Sequence, residues 1–506
     1  MLNSSPRNMK SPKRDVLLLA GLTAAALLVH GYHFGAEDQA IYLPAIRKLL
    51  DPSLYPRDAE FFLPQTQATL FGNFIAFTVR HTHLSCAAVL FIFHILSIFL
   101  ILLGCLKLTR RLFAEPSAHW AGTCLIASLL TLPVAGTALY LVDEYTHPGA
   151  WATFALLFAL LGVFPGETPE EPVDRSRFRT RHLLWMLFWV AAAALVHIQM
   201  AFYGALLLAF LLIKMPRRAE ALMALTLLPF RSLWEPASAA WRKAARTRTE
   251  HYLLLWHWYE WLGIVAPLAI LEGFARLARR HKLPRVEYLS RRLALFGLLG
   301  FATGLVVTIP ARFERLTPYQ PMRTFHILYL LFFLMAGAFA GKWILRRSLW
   351  RWLVLFVPLC FGMFYAQLQL YPGSPHIEWP GVRDPNPWVQ AFLWVRHNTP
   401  QDAYFALNPR FLKLPGEDFH GFRAFAERSQ MADDVKDPAV VALFPNMGDI
   451  WLKQVTALKG WNHFKAEDFR RLKQQFGVNW VVLEQPGVPG LDCPYQNSRV
   501  RVCRIE

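Results

Sequence analysis

Glu37 and Asp38 are the residues best placed to do chemistry. They follow the first long apolar run and open an amphipathic stretch rich in Tyr, Phe and Pro, HGYHFGAEDQAIYLPAIRKLLDPSLYPRDAEFFLP, residues 30–64. Charge at the lip of a membrane helix is costly, so a carboxylate pair kept there usually has a task. Sugar transfer from a lipid phosphate would suit it. As the sugar leaves its phosphate, the acceptor hydroxyl must lose a proton, and a carboxylate at headgroup depth can take it as general base. The competing reading is that the pair caps the following helix, QAIYLPAIRKLL, through its free backbone N–H groups. These residues alone leave both readings open.

Asp143 and Glu144, followed by His147, form a second acidic group at another expected outer helix end. They could bind a metal, position an acceptor, or start a helix ahead of Pro148. His197 and Gln199 fall in an expected hairpin turn, where a histidine is more often satisfied by its neighbours than catalytic. Arg323 precedes an apolar run, with Arg312 and Arg315 nearby. An arginine at that depth can bind phosphate through two parallel N–H donors, or snorkel to lipid headgroups. Arg246 and Arg248, with Tyr252, are second-choice phosphate ligands. No CxxC or CxxH spacing suggests a metal site, so no metal ligands are assigned and a divalent ion is left open.

The elements that must position these residues are membrane helices. The chain has 506 residues, 55% hydrophobic and 17% charged, with 18 Trp and 39 Phe. An ordinary soluble enzyme carries nearer a quarter charged residues. Several apolar runs reach the length of about 18 residues that crosses a bilayer. The net charge of +18 clusters as Lys and Arg in short loops between those runs, the positive-inside pattern, so no nucleic-acid partner is inferred. Cys86, Cys105, Cys124 and Cys360 lie in or beside apolar runs and read as core residues. Cys493 and Cys503 could pair in an extracytoplasmic tail.

Lys10, Lys13 and Arg14 place the amino terminus in the cytoplasm. A first, uncleaved helix over 16–31 then delivers residues 32–84 outside, with 67–79 as a partial or interfacial helix. Helices follow over 85–106, 118–141, 149–164, 183–197 and 200–213. A short seventh helix over 219–234 leads to a basic outer loop, 236–250, that suits an anionic ligand. Four more helices are expected over 253–272, 292–310, 324–344 and 352–370. The count is about eleven, an odd number, so the carboxyl tail lies outside.

Three parts are expected: a transmembrane body over 1–370, a proline-rich linker over 371–387, and a soluble α/β domain over 388–506. In the last, 388–398 and 466–477 read as helices, the second closed by Gly477. AYFAL, NWVVLEQ and SRVRVCRIE read as strands.

A first helix, an outer loop opening on an acidic pair, a multi-helix body and a soluble outer domain together resemble the GT-C superfamily. These are membrane glycosyltransferases that use polyprenyl-phosphate sugars. The runs EDQAIYLPAIRKLLDPSLYPRD, LTPYQPMRTFH, WVRHNTPQDAYFALNP and FAERSQMADDVKD look like an uncharacterised bacterial membrane family related to it. The resemblance implies that Asp38, with Glu37 as alternative, is the catalytic carboxylate. It implies a multi-pass bacterial inner-membrane protein that takes a sugar from a polyprenyl-phosphate lipid to an envelope acceptor on the outer face. Two departures stand out: the pair is Glu-Asp rather than the commoner Asp-Asp or Asp-Glu, and the tail has no WWD-type signature, which argues against protein N-glycosylation. In this expectation Arg323 holds the phosphate, assisted by Arg246 and Arg248, and Asp143 places a metal or the acceptor. The alternatives are a lipid-linked-sugar transporter or flippase, against which the scarcity of mid-membrane polar residues counts, and a non-catalytic envelope assembly protein.

Overall fold

A computed structural model describes residues 12–166, 169–173, 179–213 and 237–506. The chain is mostly helical and ends in a small mixed sheet. The expected helix over 219–234 lies outside the described residues.

Helix α1, Pro12–His30, is followed by α2, Gln39–Leu50, and α3, Phe71–Thr82. Helix α4, Cys86–Leu112, starts where the Ser85 hydroxyl accepts from the Ala88 amide at 3.2 Å. Helix α5, Pro116–Ser128, stops well short of the expected 141. The proline at 133 and Gly136, at φ +67°, break the run, and a tight hairpin of β1, Pro133–Val134, and β2, Leu139–Tyr140, takes its place. The acidic residues Asp143 and Glu144 thus leave from a loop rather than a helix end.

Next come α6, Pro148–Leu161, α7, Thr180–Val196, and α8, Ile198–Leu212, with the extended residue His197 between the last two. The amphipathic α9, Ala239–Thr247, precedes α10, Trp258–Arg280, and α11, Pro284–Thr308. Helix α12, Thr324–Ala340, follows a 3-10 turn, Pro321–Arg323, and α13, Leu349–Leu370, closes the body.

Five helical runs are long and apolar enough to cross a membrane: Cys86–Leu112, Trp258–Arg280, Pro284–Thr308, Ala311–Leu345 and Leu349–Leu370. Shorter apolar helices accompany them at Pro148–Leu161, Thr180–Val196 and Ile198–Leu212. The chain is a multi-pass membrane protein. Helix α12 is apolar all round, as a helix buried on every side must be, and it packs tightly on α5. A Cβ added to Gly337 would lie 2.7 Å from the Ala121 carbonyl, and one on Gly122 would lie 2.7 Å from the Leu334 carbonyl, so only glycine lets the two backbones approach. Helix α13 by contrast exposes Leu353, Val354, Val357 and Phe361, a lipid-facing surface.

The tail begins with α14, Pro387–Asn398, and continues through β3, Tyr404–Ala406, and β4, Ser429–Gln430. Helices α15, Asp437–Leu443, α16, Gly448–Ala457, and α17, Ala466–Phe476, lead to β5, Trp480–Glu484, β6, Asp492–Gln496, and β7, Val500–Arg504. The sheet order is β4-β3-β5-β7-β6, parallel across the first three strands and antiparallel across the rest. Cys493 and Cys503 form a disulfide between β6 and β7.

Helix α2 joins tail and body, because it is buried on two sides. Tyr42, Leu43 and Ile46 share a core with Phe71 and Ile75 of α3, Val89 of α4, and Trp388, Phe392 and Phe405 of the tail. Ile41 and Ala45 share another with Phe61, Phe62, Val440, Val441 and Trp451.

Candidate functional site

The site forms where the first outer loop meets the tail. Glu37 adopts a left-handed backbone at φ +52°, a conformation that costs a non-glycine residue energy and is held by its surroundings. Its amide donates to the Phe419 carbonyl at 3.0 Å. Asp38 stands at the N-cap of α2, yet its side chain makes no capping bond there. The carboxylate is 38% exposed, between the buried side chains of Lys436 and His147.

Lys436 meets it. The Lys436 ammonium donates to Asp38 Oδ1 at 2.9 Å and also to Glu37. Lys436 is itself buried at the start of α15, in the run ADDVKDP. Asp433 Oδ1 accepts from the amides of Val435, at 2.8 Å, and Lys436, at 2.6 Å. Behind it, Arg423 grips Asp437 with two parallel bonds of 2.7 and 2.9 Å, both residues being buried. This framework fixes where the ammonium sits.

His147 approaches from the other side. Its Nε2 lies 3.6 Å from Asp38 Oδ2, and its Nδ1 lies 3.3 Å from Asp143 and accepts from the Gly149 amide at 3.0 Å. Tyr42, Tyr145 and His197 ring it, with ring centroids 5.5, 6.0 and 6.0 Å away.

Burial would raise the pKa of Asp38, but the Lys436 ammonium, His147 and Arg248 outweigh it and hold the carboxyl well below the usual range. Burial pulls Lys436 toward neutrality, and Asp38 and Glu37 outweigh that, keeping it charged. The pair is therefore ionised on both sides.

The other candidates separate. Arg323 ends the 3-10 turn before α12, bonded to Gln320, and is close enough for its charge to act on Asp38. Arg248 bonds Glu250 at 2.7 Å and the Val435 carbonyl at 3.3 Å, beside Lys436. Arg246 faces away: with Arg242 it pairs with Glu314, at 3.2 and 2.8 Å, on the surface of α9. Glu144 parts from Asp143 and is buried against the Tyr371 hydroxyl. Gln199 bonds the carbonyls of Pro318 and Tyr319, docking the outer loop onto α8.

The arrangement brings Asp38, Glu37, Asp143, His147, Arg248 and Arg323 to one mouth and adds Lys436, which the sequence reading missed. Its one signal was a lone lysine among aspartates ahead of Pro438. Glu37, Asp38, Asp143 and His147 are the residues that could hold a cation, and Lys436 already supplies one between the first two. Chemically, the site offers one fixed carboxylate able to accept a hydrogen bond and three cationic side chains able to receive an anion.

No family model matches the chain, and no curated protein does. Among the solved structures to which the chain is similar are three of the oligosaccharyltransferase from Archaeoglobus fulgidus. The apo form aligns with TM-score 0.48 at 12% identity over 94% of this chain and 70% of that one. The complex with zinc and sulfate gives 0.42 at 13% over 93% and 67%. The complex of that protein, AglB, with an inhibitory peptide and a dolichol-phosphate gives 0.40 at 12% over 93% and 69%. The chemistry of this chain has to be carried by its own residues.

Proposed function

We propose that this protein transfers a sugar from a polyprenyl-phosphate donor to an envelope acceptor at the outer face of a bacterial inner membrane. The observation that carries the reading is the pairing, at one mouth of the helical body, of a partly exposed carboxylate, Asp38, with the cations Lys436, Arg248 and Arg323. A lipid phosphate needs cationic donors, and an incoming hydroxyl needs an acceptor for its proton.

In the reaction, the acceptor O–H bond breaks as its oxygen bonds the sugar's anomeric carbon. The bond from that carbon to the phosphate oxygen breaks with its electron pair, leaving polyprenyl phosphate. Asp38 orients the hydroxyl and takes the proton as the oxygen becomes acidic. The cationic side chains hold the phosphate while its charge grows, the kind of fixed electrostatic stabilisation that dominates many enzymatic barriers. The disulfide between Cys493 and Cys503 supports an extracytoplasmic tail, because such bonds persist in oxidising compartments.

One observation favours a second reading. Lys436 already neutralises Asp38 and Glu37, as a purely structural ion pair would, which fits a non-catalytic assembly protein. The test is turnover in lipid nanodiscs, with a panel of polyprenyl-phosphate sugars and an envelope extract as acceptor source. Release of polyprenyl phosphate by the wild type and not by Asp38→Asn is the expected result. No release by either, with the donor still bound, would leave the structural reading.

A further inference from the structure

Behind the site lies a second group of titratable side chains, drawn from three distant parts of the chain. His33 follows α1, Glu378 and Asp384 belong to the linker, and Glu417, Asp418 and His420 belong to the tail. Glu378 Oε1 lies 2.9 Å from His33 Nδ1 and 3.0 Å from His420 Nε2. One ligand atom each from Glu378, Asp384 and His420 fall within 4.8 Å of one another.

Three details point to a missing cation. First, Glu417 is fully buried and neither of its carboxylate oxygens has a hydrogen-bond partner; His33 Nε2, also buried, has none either. Second, among the described residues no lysine or arginine pairs with Glu378, Asp384, Glu417 or Asp418; the ion-pair partners here are His33 and His420, both on Glu378. His420, bonded to acceptors through both ring nitrogens, is the cation these bonds supply, and a divalent ion in its proton's place would offset more of the carboxyl charge. Third, His420 Nδ1 is held by the Glu417 carbonyl at 2.9 Å. A backbone carbonyl on one ring nitrogen fixes the ring and aims the other, Nε2, at Glu378, where an ion would take the place of the shared proton.

We propose that Glu378, Asp384 and His420 bind a divalent transition metal of the zinc type, and that His33, bonded to Glu378, ties this group to the first outer loop. One imidazole with two carboxylates suits such a metal better than calcium, which takes six to eight oxygens. Donors around an ion at ~2.1 Å stand roughly 3.4 Å apart, so donor atoms up to 4.8 Å apart must close by about 1.4 Å while the Glu378–His420 pair, at 3.0 Å, opens slightly. Asp384 is half-buried at the edge of the linker, its Oδ1 accepting from the Asn386 amide at 2.8 Å, and it is the ligand nearest solvent. The ion would act on the candidate site through the backbone: Ala36 forms a bridge with His420, and Gly421 donates to the Gly35 carbonyl at 3.1 Å. Both contacts lie within two residues of Glu37. This inference stands whether or not the protein transfers sugar.

The test uses the full-length protein, purified without chelator in nanodiscs, and measures bound metal by mass spectrometry and unfolding by thermal melt. The wild type and Asp38→Asn are expected to carry about one equivalent of transition metal, and Asp384→Asn about ten-fold less. Chelator should lower the wild-type Tm and added Zn²⁺ restore it, with no such response in Asp384→Asn. Because Asp384 is half-buried, that variant should still melt cooperatively, and Glu378→Gln serves as a second check. Under a tenth of an equivalent in the wild type, with no Tm response to Zn²⁺, would overturn the proposal. So would metal lost from Asp38→Asn but retained by Asp384→Asn, since that result puts the ion on Asp38, Asp143 and His147.

Discussion

The Lys436 ammonium lies 2.9 Å from Asp38 Oδ1, although 398 residues separate the two in sequence. The tail therefore supplies a group to the mouth of the membrane body. Replacing this lysine by methionine keeps most of the volume and removes the charge. Asp38, no longer held down by Lys436, should titrate at a higher pH, and the anion loses a donor. Glu37 and Asp38 are 23% and 38% exposed, so water can take over part of the lost pairing, and the stability cost should be modest, about 1–2 kcal/mol. Turnover should fall about 100-fold in Lys436→Met. Lys436→Arg, which keeps the charge, should retain more of it. Donor release assays and thermal melts of both variants check this. A Lys436→Met variant with unchanged turnover would restrict Lys436 to a structural role.

The tail should not fold by itself. Trp388, Phe392 and Phe405 pack against Tyr42, Leu43 and Ile46, and Val440, Val441 and Trp451 against Ile41, Phe61 and Phe62. Exposing large apolar side chains costs roughly 1.5–3 kcal/mol each, and losing several exceeds the usual stability of a domain of this size. Residues 380–506 expressed alone are expected to aggregate, or to bind a hydrophobic dye without a cooperative melt. A soluble, cooperatively melting fragment would show that its own sheet suffices.

Much of the architecture was legible in the sequence because bilayer length and hydrophobic periodicity are local signals. The helix over 466–477 and its Gly477 cap were readable, since the cap lies at φ +74° where glycine is favoured. The strand Trp480–Glu484 was readable as a short apolar run. Where local cues conflicted, the reading failed. The run after Pro116 looked long enough to span, but Pro133 and Gly136 end it early and fold a hairpin instead. At the site, the first-loop carboxylates were legible because charge beside an apolar run stands out. Lys436 was not, because its meaning depends on contacts hundreds of residues away, and a lysine among aspartates looks like a solvated loop. The strand Ser429–Gln430 was equally silent, being two residues long and paired only through β3.

Glu144 gives a pH signature. Burial, with Asp143 and Glu37 adding to it and the Tyr371 hydroxyl opposing, pushes its carboxyl up from 4.5 to about 8. A group with a raised folded pKa binds its proton more tightly in the folded state. The stability it contributes is complete below the unfolded value of 4.5 and is lost as pH rises through 8. The wild type should therefore lose Tm as pH rises from 4.5 to about 8. Glu144→Gln carries the amide permanently and should remove most of that slope. Parallel slopes in the two proteins would mean that Glu144 is ionised throughout.

The Arg423 clamp should be sensitive to geometry rather than charge. Its two bonds to Asp437, at 2.7 and 2.9 Å, use the planar fork of a guanidinium, and both side chains are buried. Lysine offers a single point charge and cannot span both oxygens. Arg423→Lys should thus destabilise by about 2–4 kcal/mol and shift Lys436 with it, since Asp437 follows Lys436 directly. Turnover should fall more than the fraction unfolded accounts for. A variant that melts lower but turns over normally per folded molecule would separate the clamp from the site.

The disulfide offers a direct reading of sidedness. Cys493 and Cys503 are ten residues apart, and closing so short a loop should stabilise by about 2–3 kcal/mol in the chain-entropy account. A Cys493→Ser, Cys503→Ser double variant should melt at a lower temperature by the corresponding amount. With the tail on the outer face, the pair forms in the cell. In intact cells a membrane-impermeant maleimide should then label neither cysteine until an impermeant reductant is added, after which both should react. The four remaining cysteines, Cys86, Cys105, Cys124 and Cys360, are at least partly buried in or beside the helical body, so a variant lacking them gives a clean background. Labelling only after the membrane is permeabilised would put the tail in the cytoplasm. It would also remove the ground for a donor at the outer face, because Lys436 and Asp38 lie on the same side as the tail.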